Sequence, residues 1–253
     1  MLSKNSTFIG IDPTSGHKSF TYAVLDKDLR LLALAEGEME DVIAFVAGQQ
    51  PATVAVNAPA GVNLGLVREM LKKAMPTPTP TRGAEFRVAE YELRQRGILV
   101  AGTPASVSVS PAWMQLGFEL YRRLEQLGFK KYPAENQSSQ ILETHPHACF
   151  CVMAGGLPLS KPSLEGKLQR QLILYEHGVG ISDPMDFFEE ITRHKITKGL
   201  WPTQLLYPPE QLDALVAAYV AWLAINKPGH VCSFGDQNEG MIVLPGNELK
   251  EKY

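Results

Sequence analysis

The chain has 253 residues, 45% of them hydrophobic and 20% charged, which are the proportions of an ordinary globular protein. Its formal charge of −3 argues against a protein that coats nucleic acid with its whole surface. No apolar run approaches the length of a membrane span, and the residues before the first apolar run are too few and too polar for a secretory signal. We therefore expect a cytoplasmic protein with no membrane segment.

The chain opens with an apolar strand that ends in a carboxylate. The run at 8–11 leads into Asp12, and a turn then leads into a second apolar run at 19–25. A third strand at 29–35 completes an antiparallel meander. Because an ionised carboxylate is costly to bury unless it is paired or bound to a cation, we expect Asp12 at the rim of the sheet.

Two later strands carry polar residues toward the same rim. A helix at 39–48 separates the meander from a short buried strand that ends at Asn57, and a further apolar strand ends at Glu143. A strand that follows a helix in this way is expected to run parallel to the first strand. Asp12, Asn57 and Glu143 are therefore predicted to lie at one edge of the sheet.

The residues between these two strands, 58–138, are predicted to form a mostly helical insertion that covers the rim. The proline-rich stretch at 76–80 is an extended loop, and the segment at 104–111 is compatible with a short edge strand or an irregular loop. The predicted helices cover 64–74, 84–96 and 112–127.

Arginines dominate one side of the second of these helices. Arg87, Glu90 and Arg94 lie along a polar side that is either a solvated face or a clamp for phosphate. From Arg68 to Lys131 there are 11 basic and 6 acidic residues, a local net charge of +5. Such an excess is typical of a phosphate-binding face or of ordinary surface helices.

The C-terminal part contains the most apolar helix of the chain. Helices are predicted at 164–177 and 184–195, followed by the apolar helix at 210–225, which has little polar surface and should be buried. Asp213 is a rare charge on it. A closing hairpin with Asp236 in its turn ends the chain.

Together, Asp12, Glu143 and Asp213 predict a metal site. Carboxylates brought together from distant parts of a chain repel one another unless a cation lies among them, and oxygen ligands suit Mg²⁺ or Mn²⁺. Such ions can support the hydrolysis of a phosphodiester. Each acid also has a purely structural interpretation, since Asp12 is compatible with a turn and Asp213 with the start of a helix.

These residues lie in motifs that resemble known families. FIGIDPTSG resembles the first hairpin of Holliday-junction resolvases and other RNase H-like nucleases, and LDALVAAYVAW is similar to the acid-bearing final helix of that superfamily. Over residues 8–245 the chain resembles a family of uncharacterised proteins described as predicted nucleases with an RNase H-like fold. The motifs that carry this resemblance are, in order, GID, VAVNAPAG, FRVAEYELRQRGI, ILETHP, LDALVAAYVAW and GDQNEGMIVLP.

The resemblance implies one RNase H-like α/β domain over 1–253, with a mixed sheet of three antiparallel and then parallel strands, flanked by helices. It implies a divalent-metal-dependent phosphodiester hydrolase acting on nucleic acid. The implied metal ligands and catalytic residues are Asp12, Glu143 and Asp213. Asn57 stands where the family pattern usually has Asp. The other matching polar positions are Arg87, Glu90 and Arg94 on a helix and Asp236 with Glu239 in the closing hairpin, and the resemblance gives them no role.

Two other functions stay open from the sequence. Thr14, Ser15 and Gly16 resemble the phosphate loop of actin-like kinases and ATPases, which suggests a small-molecule phosphotransferase, whereas Asn57 suggests a non-catalytic binding protein. His17 is a candidate proton shuttle. The alternation of His145, His147, Cys149 and Cys151 is compatible with zinc or with buried cysteines. The oligomeric state is not predicted.

Overall fold

Eight strands form one mixed sheet in the computed structural model, which describes residues 6–13, 19–74 and 82–253. The antiparallel meander consists of β1, β2 and β3, and the strands that follow it add to the far side of β1. The strand bounds are β1 Thr7–Asp12, β2 Phe20–Leu25, β3 Leu31–Gly37, β4 Ala52–Val56, β5 Lys130–Lys131, β6 Gln140–Glu143, β7 Val231–Asp236 and β8 Gly240–Pro245.

The strand order across the sheet is β3-β2-β1-β4-β6-β8-β7, and β5 also pairs with β6. Strands β1, β4, β6 and β8 run parallel, and β7 is antiparallel to β8. The predicted mixed sheet, antiparallel and then parallel and flanked by helices, is confirmed. This architecture is consistent with an RNase H-like fold.

Helices cover the sheet and its rim. Their bounds are α1 Met39–Gly48, α2 Leu66–Ala74, α3 Val88–Gln95, α4 Ala112–Gln126, α5 Pro146–Ala154, α6 Leu164–Glu176, α7 Asp186–Glu189, α8 Arg193–Thr197 and α9 Pro209–Asn226. Among the helices that the structure describes, none combines the length and the apolar character that a membrane span requires.

Two helix predictions need correction, and the structure decides one open segment. The helix predicted at 84–96 begins only at Val88, because Arg87 has extended backbone and is its cap. The helix predicted at 184–195 is divided into α7 and α8, because Thr192 has extended backbone and its side chain caps α8 by accepting a hydrogen bond from the Lys195 amide. The segment at 104–111 contains a single 3₁₀ turn at Val107–Val109 and no strand. The proline-rich stretch at 76–80 lies outside the described residues.

The two faces of the sheet have separate hydrophobic cores. Helix α9 is almost wholly buried against one face, as its apolar composition predicted. Gly10 of β1 allows this close approach, since a Cβ there would lie 2.0 Å from the carbonyl oxygen of Ala214. On the other face, Ile9, Ile11 and Val56 pack in a core that also contains residues of α1 and α4.

Candidate functional site

Three strands end side by side at the predicted rim. The amide of Asn57 donates to the carbonyl of Ile11 at 2.9 Å, and the amide of Thr144 donates to that of Val56 at 3.0 Å. These bonds extend the parallel pairing one residue beyond the strands. The structure therefore brings Asp12 and Asn57 together, and Asn57 Nδ2 donates to Asp12 Oδ1 at 2.9 Å.

Strand register directs Glu143 away from Asp12. In the strand register, Glu143 is paired with Val56, and Val56 is paired with Ile11. The side chains of Val56 and Ile11 belong to the core on the α1 and α4 side, so Glu143 leaves the sheet on that side too. Asp12 lies two residues after Gly10, which contacts α9 on the opposite face. Because successive side chains of a strand alternate between faces, Glu143 and Asp12 leave the sheet on opposite sides.

Arg87 neutralises Glu143 in the interior. The Arg87 guanidinium donates to both carboxylate oxygens of Glu143, and its Nε donates to Glu90 Oε1 at 2.8 Å. The side chains of Arg87 and Glu143 are only 1% and 4% exposed. Burial lowers the pKa of Arg87, but Glu143 and Glu90 outweigh that effect, and the pKa lies above its ordinary value. The prediction of a solvated face is wrong for Arg87 and Glu90.

Glu239, from the turn between β7 and β8, completes this buried network. Its backbone carbonyl accepts a hydrogen bond from Arg87 Nη1 at 2.7 Å. Its carboxylate accepts bonds from the amides of Leu64 at 2.8 Å and Val88 at 2.9 Å, just before α2 and at the start of α3. An acid at a helix start satisfies amides that have no partner within the helix. The network thus fastens α2 and α3 to the closing hairpin.

Asp213 has a different kind of partner. It lies near the start of α9 and forms an ion pair with the ammonium group of Lys161, whose side chain is 41% exposed. Burial raises the pKa of Asp213, while Lys161 and Arg170 act in the opposite direction. Burial lowers the pKa of Lys161, but Asp213 and then Asp12 outweigh it, so the pKa is raised. The Lys161 ammonium group is therefore paired with the carboxylate of α9 and lies within electrostatic range of the carboxylate that ends β1.

A cavity of about 220 Å³ lies at this rim. Its lining includes Asn57, Glu143, His145, Lys161, Arg170 and Asp213. Arg170 is 2% exposed and its guanidinium is held by the carbonyls of Leu159 and Gly166 at 2.9 and 3.0 Å. The cavity wall therefore combines acids with fixed positive charge.

His145 lines the same cavity and begins α5. Its Nδ1 accepts a hydrogen bond from the Ala148 amide at 3.2 Å, which leaves the proton of the neutral ring on Nε2. Burial, together with His147, lowers the pKa of His145 to about 4. The ring is thus neutral at physiological pH and can donate a hydrogen bond.

The predicted zinc alternative finds no support in the geometry. His145 caps α5 and the other three positions lie within this helix, so their alternation does not place them on one face of a strand. Cys149 and Cys151 are buried, and burial raises the pKa of Cys149 to about 12. In residues 6–13, 19–74 and 82–253, no group of three or more His, Cys, Asp or Glu side chains is arranged to hold a metal ion.

The remaining predicted residues lie elsewhere or outside the described chain. Arg94 is exposed and its guanidinium lies over the Phe86 ring at 4.8 Å, beside a separate cavity. Asp236 accepts a bond from the Asn238 amide at 2.8 Å, as a turn residue does. The positions proposed for a phosphate loop and for a proton shuttle, 14–17, lie outside the described residues.

Sequence reasoning missed Lys161 and Arg170. Lys161 is 52 residues from Asp213, in a loop that has no motif of its own. Pro146, a typical first residue of a helix, predicts a helix start at this point, but the capping role of His145 that follows from it was not predicted.

A family model described as "Protein of unknown function (DUF429)" matches residues 10–239. The match extends from β1 to the closing hairpin and includes Asp12, Asn57, Glu143 and Asp213. No curated protein and no solved structure matches the chain.

Proposed function

The chain belongs to the DUF429 family, and we propose that it is a divalent-metal-dependent phosphodiester hydrolase whose cation position lies between Asp12 and Asp213. The observation that carries the proposal is the position of Lys161. Its ammonium group forms an ion pair with Asp213, and the Asp12 carboxylate adds a further rise in the pKa of Lys161. Carboxylates that already attract the ammonium group of Lys161 are suited to bind a metal cation in its place.

The residues at the rim are better suited to hold one hard cation with two carboxylates than to form a metal site with three acid ligands. Two carboxylates completed by water are a usual environment for Mg²⁺, and Asn57 is a neutral neighbour of Asp12. Glu143 has no role as a ligand in this arrangement, because Arg87 and the Ala60 amide already donate to its oxygens. When bound, Mg²⁺ or Mn²⁺ would polarise a phosphodiester and lower the pKa of a bound water.

The chain's own residues favour an anionic substrate. Lys161 is partly exposed, so its ammonium group can leave Asp213 and contact a phosphate oxygen without disturbing the core. Arg170 keeps a fixed positive charge at the cavity, and neutral His145 can donate a hydrogen bond from Nε2. In this proposal nucleic acid is the substrate class, and these three residues orient the phosphate.

A second candidate is a non-catalytic binding protein. One observation favours it: each predicted metal ligand already has a partner within the chain. Asp12 accepts from Asn57, Glu143 from Arg87, and Asp213 from Lys161. Under this alternative the cavity binds its ligand without a metal ion.

The affinity of the Lys161→Met variant for Mn²⁺ distinguishes the metal-dependent hydrolase from the non-catalytic binding protein. If Lys161 occupies the cation position, its removal should strengthen Mn²⁺ binding by about tenfold, because the ion no longer competes with an ammonium group. Asp213→Asn should abolish binding. Titration calorimetry of the three proteins provides the measurement, and Arg123→Met, which alters an exposed ion pair with Glu40, is the control. Absence of Mn²⁺ binding by wild type and Lys161→Met alike would favour the binding protein.

Hydrolysis is then tested directly. Bis(p-nitrophenyl) phosphate and labelled single-stranded DNA or RNA should be cleaved with Mn²⁺ and not with EDTA, and Asp12→Asn should reduce cleavage to background. Cleavage that persists in EDTA or in Asp12→Asn would refute a metal-dependent hydrolase.

A further inference from the structure

The sheet has an opening between β5 and β8. Because β4 pairs with one edge of β6 along its whole length, β5 and β8 must both lie along the other edge. Strand β5 pairs with the start of β6, and β8 pairs with its end through Glu143 and Ile242. A cavity of about 280 Å³ lies beside this stretch of β6 and is distinct from the one beside Asp213.

The second cavity is lined by both apolar and polar side chains. Tyr132 lines it together with Pro133, Leu142 and Met241. Its polar lining consists of Tyr121, Lys131, Glu143, Gln237 and Asn238. An apolar floor with a few converging polar groups is the usual form of a site for a small organic molecule.

Its amide groups are available to a ligand. Gln237 and Asn238 are exposed, and within the part of the chain that the structure describes neither side-chain amide hydrogen-bonds another group. Each amide offers a donor and an acceptor side by side, which matches the hydrogen-bonding edge of a nucleobase.

Two further groups define what the cavity accepts. The Tyr121 hydroxyl directs its one proton to the carbonyls of Ala58 and Leu142, both at 3.3 Å, so its oxygen can accept a hydrogen bond. Lys131 is exposed, and its Nζ lies 3.7 Å from Glu125 Oε1, which is long for an ion pair. Its ammonium group therefore remains able to attract an anion. Glu143 adds little charge, because Arg87 neutralises it.

We propose that this second cavity is a binding site for a nucleobase, either of a free nucleotide or of an unpaired base in a strand. Tyr132 and Met241 supply the contact surface for a flat heteroaromatic ring, and Gln237 and Asn238 supply the paired hydrogen bonds. Binding requires no metal ion, so the inference does not rest on the proposed hydrolase. Glu143 lines both cavities, so the two cavities lie side by side at the rim.

The test is methionine-methyl NMR in the presence of EDTA. Adenosine, guanosine, cytidine and uridine are added separately, and at least one should shift the Met241 methyl signal saturably, because an aromatic ring alters the field at a neighbouring methyl group. Met70, which is 56% exposed on α2, is the internal control and should not shift. Asn238→Ala and Gln237→Ala should each weaken binding by about tenfold. Gln95→Ala, an exposed amide beside another cavity, should not.

The source of the base is distinguished by two further probes. Tighter binding of the 5′-monophosphate than of the nucleoside, lost in Lys131→Met, identifies a free nucleotide. Tighter binding of a single-stranded tetranucleotide than of the monophosphate identifies a base within a strand. The proposal is overturned if no probe shifts Met241 at about 10 mM, or if both amide variants bind as wild type does.

Discussion

Two carboxylates at the rim have cationic partners, and the partners differ in kind. Arg87 is 1% exposed and holds Glu143 in a buried network, whereas Lys161 is 41% exposed and holds Asp213 by its ammonium group alone. Arg87 also binds Glu90 and the Glu239 carbonyl. The same pairing of charges thus serves two purposes: the Arg87 network fixes the helices between β4 and β6, and the Lys161 pair can exchange its partner.

The largest expected effect comes from removing Arg87. Arg87→Met leaves Glu143 and Glu90 buried without their cation, and the free energy of unfolding should fall by about 3 to 5 kcal/mol. Lys161→Met should cost less, about 1 to 3 kcal/mol, because it leaves one buried acid, Asp213, without its ion-pair partner instead of two. Urea denaturation of both variants provides the comparison. Equal decreases in the free energy of unfolding would show that the Lys161 pair stabilises the fold as much as the Arg87 network does.

A smaller effect is expected from Gly240, which lies against the Arg87 network. Its φ of +108° favours glycine, and a Cβ there would lie 2.7 Å from Glu143 Oε2 and 2.8 Å from Arg87 Nη1. Gly240→Ala should therefore lower the free energy of unfolding by about 1 to 3 kcal/mol. Gly229→Ala is the matched control, since its Cβ would meet nothing within 4 Å. Similar stability of the two variants would contradict a tightly closed network.

Acid should disturb the Lys161 side of the rim by up to about 2 kcal/mol at pH 5. Burial, followed by His147 and to a smaller extent Lys161, lowers the pKa of His145 from 6.5 to about 4, so the unfolded chain binds more protons than the folded chain between these values. Stability should fall as the pH decreases from 6.5 toward 4. His145→Asn keeps a side-chain acceptor for the cap and should show a shallower decrease in urea midpoint between pH 7 and 5. An unchanged slope in the variant would exclude His145 as the cause.

The sequence predicted seven of the eight strands that the structure describes, because these are short apolar runs bounded by turns. Strand β5, Lys130–Lys131, was not predicted, since it consists of two exposed lysines. The buried helix α9 was equally clear from its composition. The rim residues Asp12 and Asn57 were also placed together correctly, since parallel strands that end in polar residues bring those residues to one edge.

The orientation of Glu143 could not be predicted in the same way. It depends on the register between β4 and β6, and a shift of one residue would have turned Glu143 to the face of Asp12. The partners of the acids were also hidden, because Lys161 and Arg87 reach them across 52 and 56 residues of chain. Periodicity placed Arg87 on a polar helix face, but tertiary packing covered that face.

The hydrogen bonds of Glu239 can form only late in the synthesis of the chain. Its carboxylate binds the amide of Leu64, 175 residues earlier in the chain. At a synthesis rate of about 5 to 20 residues per second, the ribosome produces this anchor roughly 10 to 35 s after the helices that it fastens have begun to emerge. The covering helices therefore acquire their final attachment only when the last hairpin has been translated.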